Sequence, residues 1–334
     1  MSSQVPMSTD PHVSLVILTQ RRPEQLARAA KSALAQAGLG GIRYELVVVD
    51  NDARPSAKAL IGRLGAKASV PVRFVHEPRA GVANARNAAT AAARAPLIAF
   101  LDDDEEAPMQ WLTALLAALE AYEADVVFGP VRGRAPAGTA HQAYLEWFFS
   151  RHGPGEAGPI ETPYGCGNSL IRRAALPDPL RPFAERANQT GGEDDVLFRA
   201  MGEVGARFCW APAAWVWEDP APERLRLGYA LKRAFVYGQS PPYHCYTGRP
   251  RDLAGALGWM AVGVAQAAIF GALAAAKWLA RAPDRAFVLD RAMRGLGKVL
   301  WFGPFKLKLY GQAAPAASTA TETTQALPSE ATAT

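Results

Sequence analysis

Two textures alternate along the first third of the chain. Continuous apolar runs bounded by polar or turn-forming residues predict strands covered on both faces: His12 to Thr19, Tyr44 to Asp50, Val72 to Val75, Leu97 to Leu101 and Asp125 to Gly129. Apolar residues at helical spacing predict helices over Pro23 to Ala37, over an alanine-rich stretch ending near Ala95, and over Gln110 to Ala124. The opening order of strand, helix, strand, strand, helix, strand is that of the nucleotide-binding half of an α/β, doubly wound, mostly parallel sheet with helices on both faces. Residues 12–130 are assigned to that half, behind a polar, disordered N-terminus over 1–11.

The polar residues that end these strands carry the candidate chemistry, because ligands of parallel sheets bind beyond the carboxyl ends of the strands. The run Leu97 to Leu101 leads directly into five acids, Asp102 to Glu106. Carboxylates held this close repel one another unless a cation joins them, and hard oxygen donors suit Mg²⁺ or Mn²⁺, which in turn hold phosphate oxygens. Asp102 and Asp104 are therefore the candidate metal and diphosphate site, with a solvated acidic loop as the competing reading. The second strand also ends on acids, in Asp50-Asn51-Asp52. The first turn, Thr19 to Pro23, holds no glycine, which excludes a dinucleotide fingerprint and a phosphate loop.

From about Val131 glycine and proline become frequent, and residues 131–249 read as a second, ligand-facing half, the acceptor-binding one if the resemblance given below holds. Its aromatic cluster Tyr144 to Phe149, with Trp147 at its centre, suits either a core or an acceptor platform. Gly167 and Asn168 precede a short strand, where glycine allows close approach of backbone to a ligand. Gly191 to Asp195 places acids at the start of a helix over Val196 to Gly205; this is either capping or a second carboxylate site. Arg207 to Pro212 and Ala214 to Trp217 read as closing strands.

Residues 250–311 form a third region. No charge occurs between Leu253 and Ala276, a length that just reaches one bilayer crossing, so the segment reads either as membrane-inserted or as a buried helix or hairpin. Basic residues follow, from Lys277 to Lys308, interleaved with Trp301, Phe302, Phe305 and Tyr310, a combination that fits an anionic cytoplasmic membrane face. No nucleic-acid-binding module accompanies the patch, so nucleic acid is not expected as a partner. The 312–334 tail of Ala, Thr, Ser, Pro and Glu reads as disordered. Hydrophobic residues are 49% of the 334, the net charge is only +5, and Cys166, Cys209 and Cys245 have neither disulfide nor zinc spacing. With no apolar signal segment over 1–11, a reducing, cytoplasmic setting at the inner face of the cell membrane is expected.

Taken in order, Val13 to Thr19 with Arg22-Pro23-Glu24, Val47 to Asp50, Gly81 with Ala85-Arg86-Asn87, Phe100 to Asp104, Gly167-Asn168 with Arg172-Arg173, and Gly192-Glu193-Asp194 resemble the inverting family 2 glycosyltransferases of the GT-A fold, as found in bacterial surface-polysaccharide synthesis. The resemblance covers roughly Val13 to Ser240. It implies transfer of a sugar from a nucleotide diphosphate sugar, commonly a UDP-hexose such as UDP-glucose, to a hydroxyl with inversion. A polyprenyl-linked glycan of exopolysaccharide or capsule assembly is the expected acceptor. Carried over residue by residue, Thr19, Asp50, Arg79, Arg86, Asp102 and Asp103 bind the nucleotide sugar. Asp104, Asp102 and Glu218, the last standing where many members have histidine, bind Mg²⁺ or Mn²⁺. Asp194 is the general base with Glu193 beside it, Asp195 being its rival; Gly167, Asn168 and Trp147 lie near the acceptor. The Gln-x-x-Arg-Trp signature of processive synthases is missing, which implies one sugar per encounter. A nucleotidyltransferase and a non-catalytic scaffold are the competing functions.

Overall fold

The structure, a computed structural model, describes residues 10–188, 192–248 and 250–305. The tail over 312–334 lies outside the described residues, as do residues 1–9, Gly191, Lys306, Lys308 and Tyr310.

Strands β1 (Val13–Thr19), β2 (Tyr44–Asp50), β3 (Val72–His76) and β4 (Leu97–Asp102) all run parallel, in the spatial order β3-β2-β1-β4. Their near-continuous apolar sequences follow from cover on both faces. On one face pack α1 (Pro23–Leu34), through Leu26, Ala29, Ala30 and Ala33, and α4 (Trp111–Ala121), through Trp111, Leu112 and Leu115. On the other pack α3 (Val82–Ala92), through Ala83, Ala85 and Ala89, and α6 (Glu193–Glu203), through Leu197, Phe198 and Met201. The expected order lacked one element: α2 (Lys58–Gly65) joins β2 to β3. Only Ile61 of this helix is fully buried, so its apolar pattern is faint, but two parallel neighbours cannot be joined without a crossover.

The sheet does not stop at residue 130. Beyond β4 it continues through β9 (Ser169–Arg172), β6 (Val126–Phe128), β10 (Phe208–Trp210) and β8 (Gly158–Ile160), with β9 antiparallel to both its neighbours and β8 antiparallel to β10. The two expected halves thus share one eight-stranded, mostly parallel sheet. A small second sheet places β11 (Val216–Glu218) between β5 (Glu105–Glu106) and β7 (Val131–Gly133). Helix α5 (Gln142–Phe149) carries the aromatic cluster against α7 (Leu227–Thr247) and α9 (Arg285–Val299), while α8 (Leu253–Leu279) runs beside α9. By length and composition α8 could cross a membrane.

Candidate active site

The sheet order reverses at β1, whose neighbours β2 and β4 connect to helices on opposite faces, and this opens a crevice beyond the strand ends. The register sets three predicted residues at its floor: Thr19 lies level with Asp50, and Leu18 with Asp102. Not all of them face outward. Asp50 is fully buried and accepts bonds from the backbone N–H of Ala57 (2.7 Å) and Asp52 (3.1 Å) and from the Ser56 hydroxyl (3.2 Å). It holds the 51–57 loop; Asp52, paired with Arg21, is the acid nearer the rim. Thr19 and Asp103 are likewise spent on each other: the hydroxyl donates to Asp103 Oδ2 at 2.8 Å, and Arg22 pairs with Asp103 Oδ1 at 2.9 Å. Arg79 is half exposed and clamps Glu77.

The acids beyond β4 converge with one from β11. Glu218 pairs in register with Glu105 across the small sheet, and the Asp219 N–H donates to the Asp104 carbonyl at 2.8 Å. Burial is the main cause that raises Asp102, Asp104 and Glu105 above the usual carboxylate range, and mutual repulsion adds to it. Glu218 is pushed up to about 8 by burial and then by Asp104 and Asp102. Arg22 (3.1 Å) and Arg224 (3.7 Å) offset part of the charge on Asp104. Arg151 reaches in from the loop after α5 and donates to the Gly167 carbonyl at 2.6 Å. Neither Arg151 nor Arg224 could be found in the sequence, since each stands alone in a loop.

This donor set fits a hard divalent cation. It consists of oxygens and carries excess negative charge. Among the described residues no three such side chains form a ready cage; Mg²⁺ characteristically takes one or two carboxylates and completes its shell with water and phosphate. Asp104, Asp102 and Glu218 are the residues that would hold it.

The second carboxylate site lies across a glycine strip from the first. A Cβ on Gly167 would stand 2.8 Å from Asp102 Cγ, and one on Gly165 would stand 3.3 Å from Asp194 Oδ2. Gly167 thus lets the backbone press against Asp102. Asp194 accepts from the Cys166 N–H at 3.1 Å, and Arg86, almost fully buried, pairs with Glu193 and lies 3.7 Å from Asp194. Arg86 is therefore the counter-ion of the α6 acids, and its charge also acts on Asp102. Burial raises Glu193 despite Arg86. The Asp194 side chain keeps 20% of its surface accessible against 5% for Glu193. Asp195 sits on the exposed side of the helix start.

Asn168 and Trp147 are both engaged within the fold. Asn168 is fully buried with a left-handed φ of 50°; its Nδ2 donates to the carbonyls of Pro130 (2.7 Å) and Ala214 (2.9 Å), and its Oδ1 accepts from Trp111 Nε1 (2.7 Å). Its side chain shapes the strip through these three bonds. Trp147 packs at a tilt against Phe287 of α9 with ring centres 5.4 Å apart, within the helical layer.

Residues 14–178 match the family model described as glycosyl transferase family 2. The chain is 36% identical over 238 residues to the succinoglycan biosynthesis protein ExoM of Rhizobium meliloti (strain 1021), a match covering 69% of this chain and 74% of that one. It is 26% identical over 138 residues to the glycosyltransferase AglE of Haloferax volcanii, covering 41% of this chain and 45% of that one. Among solved structures, GalNAc-T7 with UDP, GalNAc and Mn²⁺ aligns with a TM-score of 0.52 at 15% identity, over 74% of this chain and 52% of that one, a likeness of fold.

Proposed function

The chain belongs to glycosyltransferase family 2, and from that premise we propose that it moves one sugar from a nucleotide diphosphate sugar, a UDP-hexose, to a hydroxyl of a lipid-linked glycan with inversion. The relative's role in succinoglycan biosynthesis supports an exopolysaccharide precursor as the acceptor. The observation that carries the reading is the glycine strip, which sets a cation-hungry acid cluster on one side and a partly accessible carboxylate on the other.

Mg²⁺ or Mn²⁺, when bound, supplies a Lewis acid that offsets charge on the leaving diphosphate. Asp104, Asp102 and Glu218 would hold it, and Arg224, Arg22 and Arg151 add positive charge around them. Asp194 takes the proton of the attacking hydroxyl; Arg86 and the Cys166 N–H fix its orientation. Its accessible surface favours it over Glu193, and its bond to the strip favours it over Asp195, whose carboxylate turns back toward Gly192. A single base suffices for inversion, with no covalent intermediate.

The test is calorimetry with UDP, GDP, CMP and dTDP, with and without Mn²⁺, beside a transfer assay on polyprenyl-linked acceptors. Metal-dependent UDP binding is expected in the wild type and in Asp194→Asn, with transfer by the variant down roughly 10²-fold or more. Undiminished transfer by Asp194→Asn overturns the assignment of the base.

A further inference from the structure

Helix α8 is 27 residues long, about 40 Å, and packs along α9 and against α7 while leaving most of its surface uncovered. Only Ala256, Gly263 and Ala274 are buried. Leu257, Val262, Val264, Ile269 and Leu273 are exposed, a surface that water alone would not tolerate over this length. Its narrow packed stripe meets α9, which runs antiparallel beside it. Trp278 lies by Arg285, Phe270 by Arg291, Gln266 donates to the Arg291 carbonyl at 2.8 Å and accepts from Lys298 at 2.9 Å, and Gly263 lies against Lys298.

What accompanies α8 decides its orientation. Helix α9 carries Arg285, Asp290, Arg291, Arg294 and Lys298, and its other side is fastened to the catalytic domain. Tyr144 of α5 donates to the buried Asp290 at 3.0 Å, Phe287 packs on Tyr144, and Gly297 lies against Gly238 of α7. An α8 crossing the bilayer would draw this charged helix, and the domain behind it, into the hydrocarbon. At 15 residues, about 22 Å, α9 is also too short to span as its partner.

We propose that α8 lies in the plane of an anionic leaflet, sunk among the lipid chains along its exposed face, with α9 as the strut that joins it to the catalytic domain. Charge complementarity names the occupant. Arg251 and Arg281 are exposed at the two ends of α8 and Arg291 beside its middle, and aromatic rings at Tyr246, Phe270 and Trp278 lie under Arg251, Arg291 and Arg285, the pairing of a membrane interface. The placement also sets the end of α7 near the lipid, because the start of α8 is tied to it by the Asp252 N–H donating to the Cys245 carbonyl at 2.9 Å. This extends the reading of a lipid-linked acceptor, but its assay needs no sugar transfer, so the two fail separately.

The full chain, in a Cys245→Ser background with Cys166 and Cys209 buried, receives Ala254→Cys or Ala280→Cys and is expressed in bacteria. In intact spheroplasts a membrane-impermeant maleimide is expected to label neither position, and both after lysis; labelling of one position before lysis means that α8 spans and overturns the proposal. Purified protein is expected to float with phosphatidylglycerol vesicles far more than with phosphatidylcholine alone, and Ile269→Glu to cut the bound fraction at least tenfold with UDP binding unchanged. A chain that ignores both vesicles and instead forms a dimer that Ile269→Glu dissociates would show that a second copy covers the face.

Discussion

Replacing Glu218 by glutamine should make the metal-free protein more stable and the metal-loaded protein less so. Glu218 has a folded value near 8 against 4.5 for an ordinary glutamate, so the folded chain holds this proton more tightly than the unfolded chain. A raised carboxyl costs nothing while both states are protonated. The cost grows as pH rises from about 4.5 to 8, at ~1.4 kcal/mol per unit, to a ceiling of roughly 5 kcal/mol. Glu218 keeps some accessible surface and shares its repulsion with Asp104 and Asp102, so about 2 kcal/mol is the working figure, or roughly 3 °C in a chain of this size. Thermal unfolding in EDTA at pH 5 and pH 8 reads the difference between wild type and Glu218→Gln. It should be small at pH 5 and favour the variant at pH 8. Adding Mn²⁺ with UDP should stabilise the wild type more than the variant, because a bound ion stabilises only the state that holds it. A difference that does not grow between the two pH values, or an equal response to Mn²⁺ and UDP, refutes the placement of Glu218 in the acid cluster.

Three further substitutions probe the strip and its supports. Gly167→Ala puts a methyl against the Asp102 carboxylate and should lower transfer by roughly 10²-fold through misplacement alone, with the unfolding midpoint nearly unchanged. Asn168→Ala removes three buried hydrogen bonds and should cost about 3 kcal/mol or more in urea unfolding; preserved stability would mean that the strip is held otherwise. Arg86→Met leaves Glu193 and Asp194 without their counter-ion and should destabilise by roughly 3–5 kcal/mol; adding Glu193→Gln should recover part of that loss.

What the sequence makes legible is what burial writes into it. Strands β1, β2 and β4 are covered on both faces, so their apolar runs stand out, and the acids after β4 stand out as the polar end of one such run. Helix α2 stayed hidden because one fully buried side chain leaves almost no period to read. The site divides along the same line. A polar residue at a strand end can serve a ligand or its own loop, and residue type alone does not show which bonds it makes: Asp50 and Asn168 bond surrounding backbone, while Asp102 and Asp194 stand beside the glycine strip. Arg151 and Arg224 act only through the fold that brings them in. The orientation of α8 belongs to this second class too. An uncharged stretch reads equally as a span or a buried helix until its neighbour is known, and the neighbour that decides it, α9, lies beyond a turn and carries its charges on a helix that α5 and α7 hold to the domain.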